Sequence, residues 1–290
     1  MTCKRSQNVA MGKQWLSLLF NHTVFSARDE GNLIDIEFHY AEPSDENLGK
    51  LREVYDLEAV AGQGSEIDRI INLMSWVYRL TGHANEPEIP AERNAFTLIN
   101  MAKNEKKQIN CYMKTVILNE VYLSMGFYSR HTHLLPHSNE ERESHFITSV
   151  YSQTVERWIL MDPDFGVYVT DAKGNILGIR EIRQHLISGE PLKVVRPGRS
   201  SVKNAWMDFV NLIDGTDYPW FLSCFIFKIR CPKNSMFDQD SKPLREHYEL
   251  IPDGYRDELL LTTTITDKGN KIHYIGDGSS FWLPPKGQSH

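Results

Sequence analysis

From Cys111 to Met125 the chain carries polar side chains only at Lys114, Thr115, Asn119, Glu120 and Ser124. A helix that is apolar around most of its circumference must be buried around most of it. This segment therefore has to lie at the centre of a domain, covered by other elements on several sides. Gly126 stops it, as glycine does at helix C-termini. The residue that opens it is a cysteine. A thiol at a helix N-terminus meets unpaired backbone N–H groups and the positive end of the helix dipole, which favour the thiolate. Cys111 is thus a candidate nucleophile.

A thiol nucleophile needs a base, and the base needs an orienting group. His145 to Tyr151 and Arg157 to Met161 are β-rich runs separated by polar residues, which predicts a hairpin. If Ser152 to Val155 form its four-residue connection, Tyr151 pairs with Glu156 and His145 falls directly opposite Asp162. Directly paired antiparallel residues have Cβ atoms roughly 4.5–5.5 Å apart, so an imidazole–carboxylate hydrogen bond follows easily. A slip of one residue would send one of the two side chains to the opposite face.

The rest of the chain supports an α+β fold. Leu33 to Tyr40 alternates like a strand, and Leu48 to Leu57 reads as a helix. Ser65, with Asp68 three residues on, forms a capping box for a helix carrying Ile67, Ile70, Ile71, Met74, Val77 and Tyr78 and ending near Gly82. Gly62-Gln63-Gly64 lacks the further glycine and the Lys-Ser/Thr pair of a phosphate loop. Ala95 to Ala102 is a further short helix, Phe127 to Leu135 a strand, and Ile179 to Ser188 a helix ending at Gly189. Trp220 to Ile229 reads as a buried strand, and Glu258 to Thr266 with Lys271 to Ile275 as a hairpin around Asp267-Lys268-Gly269-Asn270. Pro191 to Ser201, rich in Pro, Gly, Ser and Arg, is the best internal boundary.

Composition narrows the function. With 41% hydrophobic and 24% charged residues over 290 positions, the chain is an ordinary globular protein of one large domain or two. A net charge of -6 lacks the basic excess of a general nucleic-acid binder. No stretch approaches about 18 uninterrupted apolar residues, so no transmembrane helix is expected. Trp15 to Phe20 is too short for the apolar region of a secretory signal. A soluble, cytoplasmic protein is the default expectation, or an exported one if the start is trimmed or wrongly assigned. Cys3, Cys111, Cys224 and Cys231 are too few and too scattered for a disulfide framework. Cys224 and Cys231 are read as buried thiols of one strand, with a bridge between them as the alternative.

Together these residues resemble the transglutaminase-like core. The elements that carry the resemblance are Asn110-Cys111 opening a buried helix, Gly126-Phe127-Tyr128-Ser129-Arg130 after it, Ser144-His145-Phe146, and Trp158-Ile159-Leu160-Met161-Asp162-Pro163. Cys111 and His145 are 34 residues apart, and His145 and Asp162 are 17 apart. The helix containing Trp76-Val77 resembles the one preceding the nucleophile in that family. The likeness covers roughly residues 60–190. One departure is Gln108-Ile109-Asn110, where many members have glycine before the cysteine.

The resemblance implies a cysteine-protease-like α+β core over residues 61–195, its central helix packed on an antiparallel sheet. Residues 1–60 form an N-terminal extension and residues 196–290 a β-rich C-terminal one. It implies papain-like chemistry without a cofactor or metal. Cys111 attacks an amide carbonyl of a protein, peptide or other amide substrate to give a thioester, His145 moves the proton, and Asp162 fixes the imidazole. The N–H of Cys111 is the first oxyanion donor, with Gln108 or Asn110 as a second. Hydrolysis is favoured over crosslinking, because water is always at hand. Arg130 is read as a structural ion-pairing residue, and Trp76 and Trp158 as core aromatics. Two alternatives stand beside this reading. One is a zinc site drawn from His131, His133, His137, His145 and Cys111. The other is a binding or scaffold module that keeps the fold without the chemistry.

Overall fold

The computed structural model describes residues 19, 21, 25, 36–138, 144–197, 218–256, 259–260, 262–276 and 278–286. Helices come first along the chain. α1 (Glu46–Val54) covers most of the Leu48–Leu57 stretch read as a helix, and α2 (Leu57–Ala61) starts at its last residue, after Asp56 takes a left-handed φ of 47°. α3 (Glu66–Tyr78) begins with the expected capping box: Asp68 N donates to Ser65 Oγ and Ser65 N to the Asp68 carboxylate. α4 (Ala95–Lys103) is capped by Asn94, whose Oδ1 accepts from Thr97 N at 3.0 Å. These helices surround α5 (Cys111–Ser124), of whose fourteen residues all from Met113 to Ser124 are buried. Gly126, with φ +81°, turns the chain out of α5, a conformation that strains any residue with a Cβ.

β2 (Ser129–Leu135), β3 (His145–Ser152), β4 (Arg157–Asp162), β5 (Val167–Asp171) and β6 (Leu192–Val195) follow, with α6 (Ile179–Ser188) between the last two. α7 (Tyr218–Phe225) leads into β7 (Lys228–Pro232), and the short β8 (Asn234–Ser235) pairs with β1 (His39–Tyr40). β9 (Glu246–Leu250), β10 (Thr263–Ile265) and β11 (Lys271–Ile275) complete a nine-stranded sheet of order β10-β11-β9-β7-β2-β3-β4-β5-β6. Strands from either side of residue 195 share this one sheet. Both its faces are buried. Val150, Ile159 and Met161 join the core under α1–α5, while Leu134, Ile147 and Leu160 join a second core with α6 and α7.

Several expectations are corrected. The sheet is antiparallel except for β9 and β11, which run parallel. A parallel neighbour needs a crossover of a dozen or more residues, and the segment between Leu250 and Lys271 supplies it. Trp220–Ile229 is mostly helix: α7 ends at Phe225 and the strand begins only at Lys228. A short apolar run has no periodicity to separate the two, and Pro219 suits a first helical turn. Cys224 and Cys231 are buried as expected, but they lie on α7 and β7 and not on one strand. Of the Leu33–Tyr40 run only His39–Tyr40 is strand, and residues 33–35 lie outside the described ones. So do Trp15–Leu18 and Phe20, parts of Pro191–Ser201 and His137–Ser144, and Glu258 and Leu261 of the last predicted hairpin. That hairpin itself forms, with Ile265 facing Lys271.

The β3–β4 register also differs from expectation. Tyr151 faces Trp158 and Ser152 faces Arg157. The four-residue connection therefore runs from Gln153 to Glu156, one residue later than the polarity pattern indicated. Glu66, at the start of α3, accepts from Ser152 Oγ, Gln153 N and Thr154 N, and Glu156 takes a left-handed φ of 51°. A contact from a distant helix thus sets this turn. The shift amounts to two residues, and because strand side chains alternate with period two, His145 and Asp162 stay on the same face.

Candidate active site

The residues ahead of α5 hold its first turn in place. Ile109 is fully buried and bridges His83, and Ala84 N donates to Ile109 O at 3.1 Å. Asn110 then caps the helix: its Oδ1 accepts from Met113 N at 3.0 Å and its carbonyl from Lys114 N at 3.1 Å. The N–H groups of Cys111 and Tyr112 have no acceptor within the helix, and they lie beside the half-buried thiol. With Asn110 Oδ1 used as the cap, its side-chain N–H₂ is the part of that amide that can donate, and Gln108 is exposed three residues ahead of the thiol.

His145 opens β3, paired with Leu134, and is 3% exposed. Its Nε2 lies 2.6 Å from Asp162 Oδ2. Phe165 and Phe221 stand edge-on to the ring at 5.4 and 5.0 Å. The Cys111 thiol also interacts electrostatically with His145. Burial alone would make this imidazole less basic, but the charge and hydrogen bond of Asp162, together with Cys111, outweigh it and hold His145 well above the ordinary range.

Asp162 ends β4 and is fully buried. Its Oδ1 accepts from Asp164 N at 2.9 Å and Phe165 N at 3.0 Å, and its Oδ2 accepts from Tyr218 Oη at 2.7 Å as well as from His145. The carboxylate is fully satisfied, as a buried charge must be. Burial and the neighbouring carboxylates of Asp162 and Asp164 push Tyr218 well above the usual phenol range, so it remains a donor. The sequence reading missed Tyr218, which stands 56 residues beyond Asp162 in no recognisable motif.

A second buried group was also missed. Lys114 Nζ, with no exposed side-chain surface, lies 3.1 Å from Asp164 Oδ1, and His83 Nδ1 lies 2.8 Å from Asp164 Oδ2. Burial would raise the Asp164 carboxyl, but Lys114 and His83 draw it down to about 2. A signal existed: a lysine inside an otherwise apolar helix requires a buried carboxylate partner, and Asp162-Pro163-Asp164 offers two.

The histidines considered for zinc diverge. His131 Nδ1 pairs with Asp240 at 3.2 Å, and His133 bonds Ser144 Oγ at 2.7 Å while stacking on Phe146 at 3.9 Å. His137 packs edge-on against Phe227 and Tyr255. Among the described residues, no three His, Cys, Asp or Glu side chains are grouped to hold a metal ion. Arg130 is structural in a different way from the ion pair expected. Its buried guanidinium lies 4.0 Å from the Phe38 ring and 3.7 Å from that of Trp158, and it donates to Phe281 O. Trp158 is buried, whereas Trp76 is only half-buried, beside Tyr55. No described helix is long and apolar enough to cross a membrane.

No family model matches the sequence, and no curated protein matches it. Among solved structures the chain is similar to "a Putative Cysteine Protease from Cytophaga hutchinsonii", at 13% identity, 58% of this chain and a TM-score of 0.33. The match spans about half of that protein, 52% of its length. A likeness at this level carries no weight for fold or chemistry, so function has to be argued from the residues of this chain.

Proposed function

We propose that this protein is a cysteine-dependent amide hydrolase or acyl transferase of the transglutaminase-like kind, with hydrolysis favoured over crosslinking. The reading rests on one observation: Asp162, itself held by the Tyr218 hydroxyl, is hydrogen-bonded to His145, whose ring interacts electrostatically with the Cys111 thiol. An imidazolium facing the thiol at a helix N-terminus is what a thiolate needs to persist. The Cys111 sulfur attacks the carbonyl carbon of an amide, and the resulting oxyanion is received by the N–H groups at the start of α5. His145 gives its proton to the leaving amine as the C–N bond breaks, which leaves a thioester on Cys111. It then takes a proton from water, whose oxygen attacks the thioester and releases acid and thiol. Asp162 holds the imidazole in orientation and offsets its charge.

The test is alkylation of Cys111 by iodoacetamide between about pH 5 and pH 9, with the site assigned by mass spectrometry, in wild type and His145→Ala. Rapid labelling on the acidic side of neutrality that is lost in His145→Ala supports a nucleophile activated by its imidazole. Slow labelling that ignores His145 removes the enzyme reading in favour of a binding scaffold.

A further inference from the structure

A cavity of 140 Å³ lies over the sheet beside the first turn of α5, and Tyr112 forms part of its wall. At about 30 Å³ per water it has room for a few waters or a small organic anion. The polar wall is basic: it carries His131, His133, Arg230, Arg245 and His247. Register brings them together, since His133 faces Arg230 and Pro232 faces His247 across neighbouring strands. No carboxylate among the described residues lines the cavity.

The acids that serve these cations lie outside the lining. Asp240 receives His131 at 3.2 Å, Arg245 at 2.5 Å and the Tyr112 hydroxyl at 2.8 Å, and Glu249 receives Arg230 Nε at 2.7 Å. Each acid holds a basic side chain in place. Two buried atoms of the wall, Arg245 Nε and His247 Nδ1, have no hydrogen-bond partner among the described residues, although buried polar atoms are almost always satisfied. His247 is pushed down to about 3, first by burial and then by His131, Arg245 and Arg230, against the opposing pull of Asp240. Two arginines therefore face the cavity, and the buried Nε–H of Arg245 lacks an acceptor there among the described residues.

We propose that this cavity binds a carboxylate, and that the carboxylate belongs to the substrate of Cys111, because Tyr112, the residue directly after the nucleophile, forms part of the cavity wall. The second half rests on the function proposed above and the first half does not. The substrate class is then an amide with a free carboxylate near the bond attacked, such as the C-terminal end of a peptide.

The probe is N-acetylglycine, matched by the uncharged N-acetylglycinamide. Each is titrated by NMR into the full chain and into its Cys111→Ala form while the ring resonances of His131 and His247 are followed. A saturable shift with the acid and none with the amide is expected, with binding about tenfold weaker or more in Arg245→Gln and in His247→Gln. Arg245→Gln also takes a partner from buried Asp240, so His247→Gln keeps the test decisive if the first variant does not fold. Equal shifts with both probes, or none with either, overturn the site. Carboxylate binding with a Cys111 inert to alkylation upholds the cavity site and overturns its link to the thiol. An activated Cys111 without carboxylate binding overturns the cavity site and leaves the proposed function standing.

Discussion

His145 Nε2 and Asp162 Oδ2 lie 2.6 Å apart although the two residues are not opposite each other in the β3–β4 ladder. Thr148 faces Met161, so the same register carried to the end of β4 sets Asp162 against Ile147, one diagonal step from His145. Diagonal neighbours on one face are about 7–8 Å apart at Cα, within reach of two long planar side chains. Tyr218 and the N–H groups of Asp164 and Phe165 hold the carboxylate from its other sides, and two phenylalanine rings hold the imidazole.

Asp162→Asn is therefore expected to remove the main interaction that raises His145 above its ordinary range and let burial dominate. Alkylation of Cys111 near neutral pH falls by about tenfold or more. A group whose folded pKa is raised contributes stability that is full below its unfolded value, about 6.5, and is lost as pH rises through the folded value. Wild type accordingly loses unfolding free energy above that pH, and Asp162→Asn shows a flatter profile. Urea unfolding over a pH series checks this, and an unchanged profile in the variant counts against the coupling.

Tyr218→Phe removes one of the four hydrogen bonds to a buried carboxylate. Stability drops by about 1–2 kcal/mol. Cys111 labelling stays far closer to wild type than in Asp162→Asn, because the carboxylate and its charge remain. Urea midpoints and alkylation rates on the two variants separate a supporting hydroxyl from the orienting acid.

How much of this could be read in the sequence follows from the range of each interaction. The boundaries of α5, the capping box at Ser65 and Asp68, and the stop at Gly126 are local, and each appears where the residues indicate. The closeness of His145 and Asp162 survives an error in register because that error is an even number of residues. The error itself comes from Glu66, which reaches the β3–β4 turn from 86 residues away. Tyr218, the Lys114–Asp164 pair and the basic cavity likewise depend on which elements the fold packs together. Trp220–Ile229 is apolar on every side, so it carries no periodicity to tell helix from strand.

Arg130 is expected to resist its usual replacement. Its planar guanidinium packs between Phe38 and Trp158 and reaches Phe281 O. A lysine keeps the charge but cannot stack on two rings at once. Arg130→Lys should lower stability by about 2 kcal/mol, with Cys111 alkylation in the folded fraction unchanged. A large change in labelling rate at constant stability would instead link Arg130 to the site.

Lys114 makes the sharpest stability prediction, because it is a charge with no exposed surface three residues after Cys111. Lys114→Met keeps the apolar stem and removes the ammonium, which leaves the buried Asp164 without its lysine, beside His83. Removing one member of a buried pair costs about 3–5 kcal/mol, so this variant should be among the least stable single substitutions in α5. The pH response gives an independent check. Asp164 is held down to about 2 in the folded protein, so its contribution is present above the unfolded value near 4 and is lost as pH falls towards 2. In wild type this amounts to about 2 kcal/mol across that window. In Lys114→Met the carboxyl takes up its proton at higher pH, and the acid-induced loss begins earlier. The double variant Lys114→Met, Asp164→Asn should recover part of the deficit, since no lone charge is then left inside. If the double variant is no more stable than Lys114→Met, the pair is not the reason the lysine is buried.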